Sequence, residues 1–168
     1  MIPLLVAASL AGPPAAPVVG CDRRIEGGRQ VSDSLPADVE IGPIRFTGLR
    51  WAATASRADL TPSPGPRWRV WKATPVVDAG RAVTVVVAPA DRPRLQLSWQ
   101  GGSGPAVTFR PCPSGTKAFS YPGTVGPHTA FAGGFLVDGP GCRRLQVWVQ
   151  GRSRPFVRVI SFAAGRCR

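Results

Sequence analysis

Glycine and proline interrupt the apolar segments of this chain at short intervals. The sequence has 168 residues, including 20 glycines and 19 prolines. From Val39 onward, short runs of β-branched and aromatic residues alternate with turn-forming segments such as TPSPGP, GGSGP and DGPG. Because no apolar pattern of helical period continues for more than two turns, the sequence predicts short strands joined by turns.

Strands of this kind are expected to pair in antiparallel sheets, so the predicted fold class is an all-β, immunoglobulin-like sandwich of seven to nine strands. Near Gln150, the residues Leu145, Val147 and Val149 alternate with polar residues, which is typical of a half-buried strand. Arg81–Ala88 is apolar on both faces and is predicted to be a central strand. The predicted strands are Glu40–Thr47, Arg50–Ala55, Arg67–Lys72, Arg81–Ala88, Arg94–Trp99, Ala106–Arg110, Phe131–Val137, Arg143–Gln150 and Pro155–Phe162.

The N-terminus has the composition of an export signal. Ile2–Ala11 is continuously apolar but too short to span a bilayer, and it matches the apolar core of a secretory signal peptide. The basic residues that normally precede such a core are missing, since the first one is Arg23. We therefore predict a signal peptide at 1–20, a lead-in loop at 21–38 and one β-sandwich domain at 39–168. A buried N-terminal strand is the alternative.

Four cysteines predict two disulfides in an exported chain. The favoured pairing is Cys112–Cys142 together with Cys21–Cys167. The first bond joins the ends of a local loop, and the second joins the two ends of the mature domain. No two cysteines are close enough in sequence for a redox C-x-x-C motif. The single histidine, His128, has no nearby partner for zinc. No metal and no cofactor is predicted.

The tetrapeptide VVGC at 18–21 allows a second interpretation of Cys21. A small residue before a cysteine is compatible with a lipoprotein signal, in which the cysteine is acylated after export. Lipidation would leave three cysteines, one of them unpaired, so a disulfide is favoured. The predicted localisation is secreted or cell envelope, and membrane anchoring is expected only if Cys21 is lipidated.

The chain is basic, with a formal net charge of +12. Its 43% hydrophobic residues argue against disorder. Arginine greatly outnumbers lysine and asparagine is absent, which is typical of a GC-rich genome and favours a generic basic surface. The alternative is an anionic partner, such as nucleic acid, anionic lipid or a cell-wall polymer. Nucleic acid is not predicted, because no helix-turn-helix or other nucleic-acid motif is present and export removes that partner.

Three C-terminal segments carry a resemblance to known proteins: FAGGF at 131–135, GCRRLQVWVQG at 141–151 and SFAAGRC at 161–167. They are similar to segments of a group of uncharacterised exported, four-cysteine, β-rich proteins of high-GC actinobacteria, in which the cysteines recur in the same order. The resemblance implies an extracellular β-sandwich with two disulfides and implies no activity. It also favours a disulfide at Cys21, the first cysteine, over lipidation of that residue.

Tryptophan and arginine together suggest a binding surface. In RWRVWK at 67–72, strand alternation places Arg67, Arg69 and Trp71 on one face. Such a face could stack a sugar ring or bind an anionic polymer, and Arg144 with Trp148 could extend it. The alternative interpretation is that the tryptophans belong to the core or cover its edge.

A hydrolase is the second functional interpretation. His128 with Ser120 or Ser103 and with Asp138 or Asp91 would supply a catalytic triad, although no G-x-S-x-G motif supports it. An enzyme is therefore the less favoured class.

A structural or inhibitory β-domain is the third interpretation, and it would act through an exposed loop such as YPGTVGPH at 121–128. The leading interpretation is an exported binding or interaction domain. Its expected ligand is an anionic polymer or a glycan.

Overall fold

The computed structural model describes residues 12–26, 34–59, 61–62, 67–100 and 102–167. These residues form short strands and 3-10 turns, and no α-helix occurs among them. The all-β class is confirmed. The strands are β1 (Val18–Val19), β2 (Arg24–Ile25), β3 (Val39–Ile41), β4 (Ile44–Phe46), β5 (Thr61–Pro62), β6 (Arg69–Lys72), β7 (Pro75–Asp78), β8 (Val83–Val87), β9 (Leu95–Trp99), β10 (Gly102–Gly104), β11 (Ala106–Phe109), β12 (His128–Phe131), β13 (Gly133–Val137), β14 (Gly141–Val149) and β15 (Phe156–Phe162).

The strands are arranged in three five-stranded sheets. Sheet I has the order β1-β11-β8-β14-β15, sheet II the order β2-β12-β7-β4-β3, and sheet III the order β10-β9-β13-β6-β5. Neighbouring strands are antiparallel except β1 and β11, which are parallel. The antiparallel character of the prediction is thereby confirmed.

The described strands are more numerous than the seven to nine predicted, because several extended segments bend and pass from one sheet to another. β6 and β7 lie on one such segment, and they pair in sheets III and II respectively. β12 and β13 are interrupted at Ala132 in the same way, and β10 and β11 are interrupted at Pro105. Proline has no N–H to donate to a sheet, so a strand tends to break there.

Two predicted strands are confirmed in detail. β8, predicted to be central, is the third of five strands in sheet I, and all five of its residues are buried. In β14 the burial alternates as predicted, with Leu145, Val147 and Val149 facing the core. β7 and all of β12 except Phe131 lie outside the predicted strands, and so do the short strands β1, β2, β5 and β10.

Arg50–Ala55 was predicted to be a strand and is not one. Leu49–Ala53 forms a 3-10 helix, preceded by Gly48 in the left-handed region at φ 65°. Leu49 and Ala52 are its buried residues. They are three positions apart, which is the repeat of a 3-10 helix, and this spacing places both on the same side.

The core lies where the three sheets meet. The ring of Phe135, on β13 of sheet III, lies 5.3 Å from the ring of Phe46 in sheet II and 5.4 Å from that of Phe162 in sheet I. All three residues are nearly completely buried. Tilted aromatic pairs at this distance are favourable, so these rings join the sheets into one core.

The predicted disulfide pairing is wrong. The bonds are Cys21–Cys112 and Cys142–Cys167. β1 and β11 run parallel with Val19 opposite Phe109. The segments that follow the two strands therefore lie side by side, which places Cys21 beside Cys112. The presence of two disulfides is confirmed, and it indicates an oxidising, extracellular environment.

Val18–Val19 and Arg24–Ile25 are strands of the sheets, although 1–20 were predicted to be a signal peptide and 21–38 a lead-in loop. β1 is an edge strand of sheet I, and β2 pairs with β12 in sheet II. The apolar segment at 2–11 lies outside the described residues. None of the described residues lies in a helix that has the length and apolar character of a membrane span.

Candidate functional site

A cavity of about 300 Å³ opens at the end of the core, between sheet III and the C-terminal end of β15. We call it the Arg–Trp cavity, because Arg67, Arg69 and Trp71 line it. These are the three residues that the sequence places on one strand face. The volume is at the lower end of the range that small ligands occupy in proteins.

β6 and β13 form one wall of this cavity. Trp71 is opposite Phe135 and Arg69 is opposite Val137 in the register of the two strands. Residues in such pairs point to the same face of a sheet, so this face carries an aromatic and apolar surface with Arg69 towards its end. Trp71 is half-buried and packs against the core cluster.

The facing wall is built from small residues. Ala52 and Ala55 line it, together with Gly139 and Ala163. The backbone N–H of Ala163 donates to the carbonyl of Ala52 at 2.6 Å, which holds the C-terminal segment against the 3-10 helix. Because these side chains are so short, the space in front of Trp71 stays unfilled.

Ala163 has a backbone conformation that alanine rarely adopts. Its φ is 50°, and no other non-glycine residue in the described ranges has a positive φ. Such conformations cost about 1–3 kcal/mol and tend to cluster at functional sites. This residue belongs to the wall of the cavity and follows Phe162, which also lines it.

The two arginines of the cavity differ in their partners. Arg67 forms an ion pair with Asp138 at 2.9 Å, donates to the carbonyl of Pro93 and lies over the ring of Trp68. Arg69 has no hydrogen bond or ion pair through its side chain to any described residue. The residue itself is partly buried. The cavity therefore has one guanidinium group available for an anion.

Arg144 and Trp148, the other predicted binding residues, are not part of this cavity. Both lie on β14 in sheet I, on the face opposite to the core residues of that strand. Trp148 is half-buried beside Thr84 of β8, and Arg144 is exposed. The structure therefore brings three of the five predicted residues together and places two on a separate surface.

His128 has an acidic partner, although not the one expected from the sequence. Its Nδ1 atom lies 3.0 Å from Oδ1 of Asp78 on the adjacent strand. Ser120, one of the proposed nucleophiles, instead donates its hydroxyl to Glu26. Among the described residues that line the small cavity beside His128, none is a serine, threonine or cysteine. The nucleophile of a triad is therefore not placed next to this pair.

The remaining wall residues of the Arg–Trp cavity have weak sequence signals. Asp138, Gly139 and Pro140 belong to a turn, and Phe162 with Ala163 to the SFAAGRC segment. A composition of small residues next to a turn does not by itself indicate a binding site. No group of three or more histidine, cysteine or acidic residues suited to a metal ion occurs in the described part of the chain.

Known proteins offer no comparison for this site. No family model, no curated protein and no solved structure matches the chain.

Proposed function

We propose that this chain is an exported binding domain of the cell envelope or extracellular space, and that the Arg–Trp cavity holds a sugar unit of an anionic glycan polymer. The observation that carries the proposal is the combination in one cavity of an aromatic wall and a guanidinium group without a described partner. A sugar bearing a carboxylate or a phosphate has both an apolar C–H face and a charge.

Each wall has a role in this proposal. The apolar face of the sugar packs against Trp71, and the anionic group accepts hydrogen bonds from Arg69. Arg67 closes the rim of the Arg–Trp cavity. It adds little net charge, because it forms an ion pair with Asp138. The net charge of +12 increases the rate of encounter with an anionic polymer at low ionic strength.

The test measures binding of the oxidised protein to a polyuronate, with uncharged dextran as the control polymer. We expect binding to polygalacturonate fragments and no binding to dextran. Arg69→Ala removes a charge-assisted hydrogen bond, which is worth about 1.5–3 kcal/mol, so its Kd rises by about 10- to 100-fold. Trp71→Phe, which keeps most of the packing, weakens binding less.

Matched control variants come from the other predicted surface. Arg144→Ala and Trp148→Phe make the same chemical changes on sheet I, and we expect each to change Kd by less than about twofold. If these two variants weaken binding and the cavity variants do not, the site lies on sheet I. If the wild-type protein does not bind the polyuronate, the anionic-glycan proposal is wrong. Thermal unfolding of each variant separates lost binding from lost folding.

We propose that the three sheets form an immunoglobulin-like sandwich in which bent strands divide one layer into sheets II and III. The segments shared by β6 with β7 and by β12 with β13 support it, because each pair is continuous along the chain. Kinship with exported four-cysteine proteins of high-GC actinobacteria is proposed on the C-terminal motifs alone.

A further inference from the structure

β15 is an outermost strand of sheet I and pairs with another described strand on one side only. Its residues are matched one to one with residues 141–147 of β14. Just beyond the strand, the N–H of Ala163 donates to the carbonyl of Ala52, so the 3-10 helix covers the edge from that point on. The earlier part of β15, residues 156–160, has no strand on its other side in the described part of the chain. We call these residues the β15 edge.

The hydrogen bonds of the neighbouring strand show which backbone groups face the open side. Arg144 of β14 is opposite Val159, and its carbonyl accepts from the N–H of Ala88, on the β8 side of β14. In an antiparallel pair, two residues that do not bond to each other direct their backbone groups to opposite sides. Val159 therefore directs its N–H and C=O away from β14, and so does Val157, two positions earlier. No described residue hydrogen-bonds to these groups.

The two residues that present these backbone groups also have exposed side chains. Val157 is 53% exposed and Val159 is 39% exposed. They lie on the outer face of sheet I, opposite Gln146 and Arg144. An open strand edge with exposed β-branched residues is a template to which an extended peptide can add as a further strand. Backbone hydrogen bonds give such a complex its register, and alternate side chains give it specificity.

Three arginines surround the β15 edge and determine the charge of a suitable partner. Arg154 precedes the strand, Arg158 lies within it, and Arg144 is the cross-strand neighbour of Val159. All three arginines are exposed, and their guanidinium groups form no ion pair or hydrogen bond with any described residue. Asp91 accepts from the backbone N–H of Arg144 and not from its side chain. The edge is therefore complementary to a segment that carries carboxylates.

Arg158 also argues against pairing of two copies of this chain through β15. It lies on the same strand face as the buried Ile160 and Phe162, yet it is exposed. A charge at an inward position of an edge strand disfavours pairing between two such edges. In the register that places Val157 opposite Val159, the two Arg158 side chains would be direct neighbours. A glutamate or aspartate opposite Arg158 would instead make this position attractive.

We propose that the β15 edge is a docking site for an acidic, extended peptide segment of another protein, which adds to sheet I as a sixth strand. The segment bonds to the backbone groups of Val157 and Val159 and places carboxylates near Arg158 and Arg144. The Arg–Trp cavity begins further along the chain, at Phe162 and Ala163. The proposal therefore does not rest on glycan binding.

The test measures binding of the oxidised protein to synthetic peptides by isothermal titration calorimetry. The probe is a blocked peptide of about eight residues in which valine and threonine alternate with glutamate. One control peptide has lysine in place of glutamate. The other keeps glutamate but is N-methylated at two adjacent central residues, so that neither of its edges can pair normally. We expect the acidic probe to bind and both controls to bind at least about tenfold more weakly.

Each other pattern of peptide binding contradicts the proposal. Equal binding of the N-methylated peptide means that charge alone attracts the probe, without strand addition. Equal binding of the lysine peptide means that the partner is not selected by its acidic residues. No binding of the acidic probe at millimolar concentration overturns the docking site. A dimer in sedimentation analysis that Val159→Pro abolishes would make a second copy the occupant of this edge.

A proline variant tests the position of the site. Val159→Pro removes an outward N–H that β14 does not use, and edge strands tolerate proline at such positions. We expect the Kd of the acidic probe to rise at least about tenfold. Val18→Pro is the matched control, because Val18 is an exposed valine on the opposite edge of sheet I. Its neighbours Pro17 and Val19 supply the carbonyls that bond to β11. An equal loss in both variants overturns the assignment to β15.

A charge reversal tests the chemistry of the partner. Arg158→Glu should raise the Kd of the acidic probe by about two- to tenfold and should allow the lysine peptide to bind. Arg23→Glu makes the same change at an exposed residue of another element, so we expect little effect. Equal effects of the two reversals would show that only net charge matters. Thermal unfolding checks the folding of each variant, and polyuronate binding to the same variants is expected to remain unchanged.

Discussion

Gly133 and Gly134 lie where three strands come unusually close. A Cβ atom on Gly134 would lie 2.2 Å from the carbonyl oxygen of Trp71, and one on Gly133 would lie 2.8 Å from that of Ser98. Both distances are far below van der Waals contact, and both neighbours are backbone atoms. The paired glycines of FAGGF therefore let β13 sit between β6 and β9.

We predict that Gly134→Ala lowers the free energy of unfolding by roughly 1–3 kcal/mol, because the added methyl group forces β6 and β13 apart. Trp71 lies on the displaced strand, so polyuronate binding should weaken as well. The measurement is urea unfolding followed by tryptophan fluorescence.

Gly126→Ala is the matched control, because a Cβ atom there meets no heavy atom within 4 Å. We expect this variant to unfold within about 0.5 kcal/mol of the wild type, as surface substitutions generally do. Equal stability of the two variants would contradict the close-approach argument.

At the scale of single elements, the segment around β2 is attached to the loop that precedes β12. The side chain of Glu26 is 2% exposed, pairs with Arg24, and accepts hydrogen bonds from the N–H groups of Phe119 and Ser120 at 2.8 and 2.9 Å. Arg24 donates to the carbonyl of Lys117 and lies over the ring of Phe119. These contacts hold the segment next to the Cys21–Cys112 disulfide.

The Glu26 carboxyl makes this attachment sensitive to pH. Burial raises its pKa, but hydrogen bonds from the backbone of Ser120 and Phe119, from Arg24 and from the Ser120 hydroxyl outweigh burial and hold the pKa below the usual 4.5. A lowered pKa in the folded state means that the carboxylate stabilises the fold above about pH 4.5. This contribution is lost as the pH falls through the lowered value.

We predict that Glu26→Gln unfolds at a lower temperature than the wild type at pH 7, and that the two melting temperatures converge as the pH falls below 4.5. Asp22→Asn is the control, because the side chain of Asp22 is 80% exposed and its difference from the wild type should be small throughout. A Glu26→Gln difference that stays constant from pH 7 to pH 3 would show that the charge is not responsible.

At the scale of the whole molecule, the two disulfides close loops of different length. Cys21 and Cys112 are 91 positions apart, and Cys142 and Cys167 are 25 apart. The longer loop restricts the unfolded chain more strongly. In the chain-entropy model the two bonds contribute about 4.6 and 3.5 kcal/mol respectively.

We predict that the double variant Cys21→Ser/Cys112→Ser loses more stability than Cys142→Ser/Cys167→Ser, by about 1 kcal/mol in the free energy of unfolding. Urea unfolding of the two variants measures the difference. The reverse order would show that native packing around the bonds outweighs loop length. Peptide mapping without reduction checks the pairing itself.

The predictability of the fold differs between segments for physical reasons. β8 and β14 were predicted because burial alternates, or is continuous, along a single strand, and the sequence displays that pattern directly. The 3-10 helix at Leu49–Ala53 was wrongly predicted to be a strand, because its composition is similar to that of the predicted strands. The change of direction at Gly48 and the burial of every third residue depend on the sheets around it.

The candidate site likewise contains residues that the sequence places together and residues that only the fold brings together. Arg67, Arg69 and Trp71 were predicted to share a face, because alternation along β6 is a local property. The facing wall comes from residues near 52–55, 138–140 and 162–163, and their meeting requires the complete arrangement of sheets. Arg144 and Trp148 share a strand face for the same local reason, yet they lie on another sheet.

Sequence patterns were sufficient to predict the all-β class, the central position of β8 and the number of disulfides, since turn residues, apolar alternation and cysteine count do not depend on contacts between distant residues. The tertiary structure decided which cysteines pair, which tryptophan lines a cavity and that Val19 belongs to the core. These depend on contacts between residues far apart in the chain. The parallel pairing of β1 with β11 is the clearest case, because it brings Cys21 to Cys112 across 91 positions and makes VVGC part of the fold.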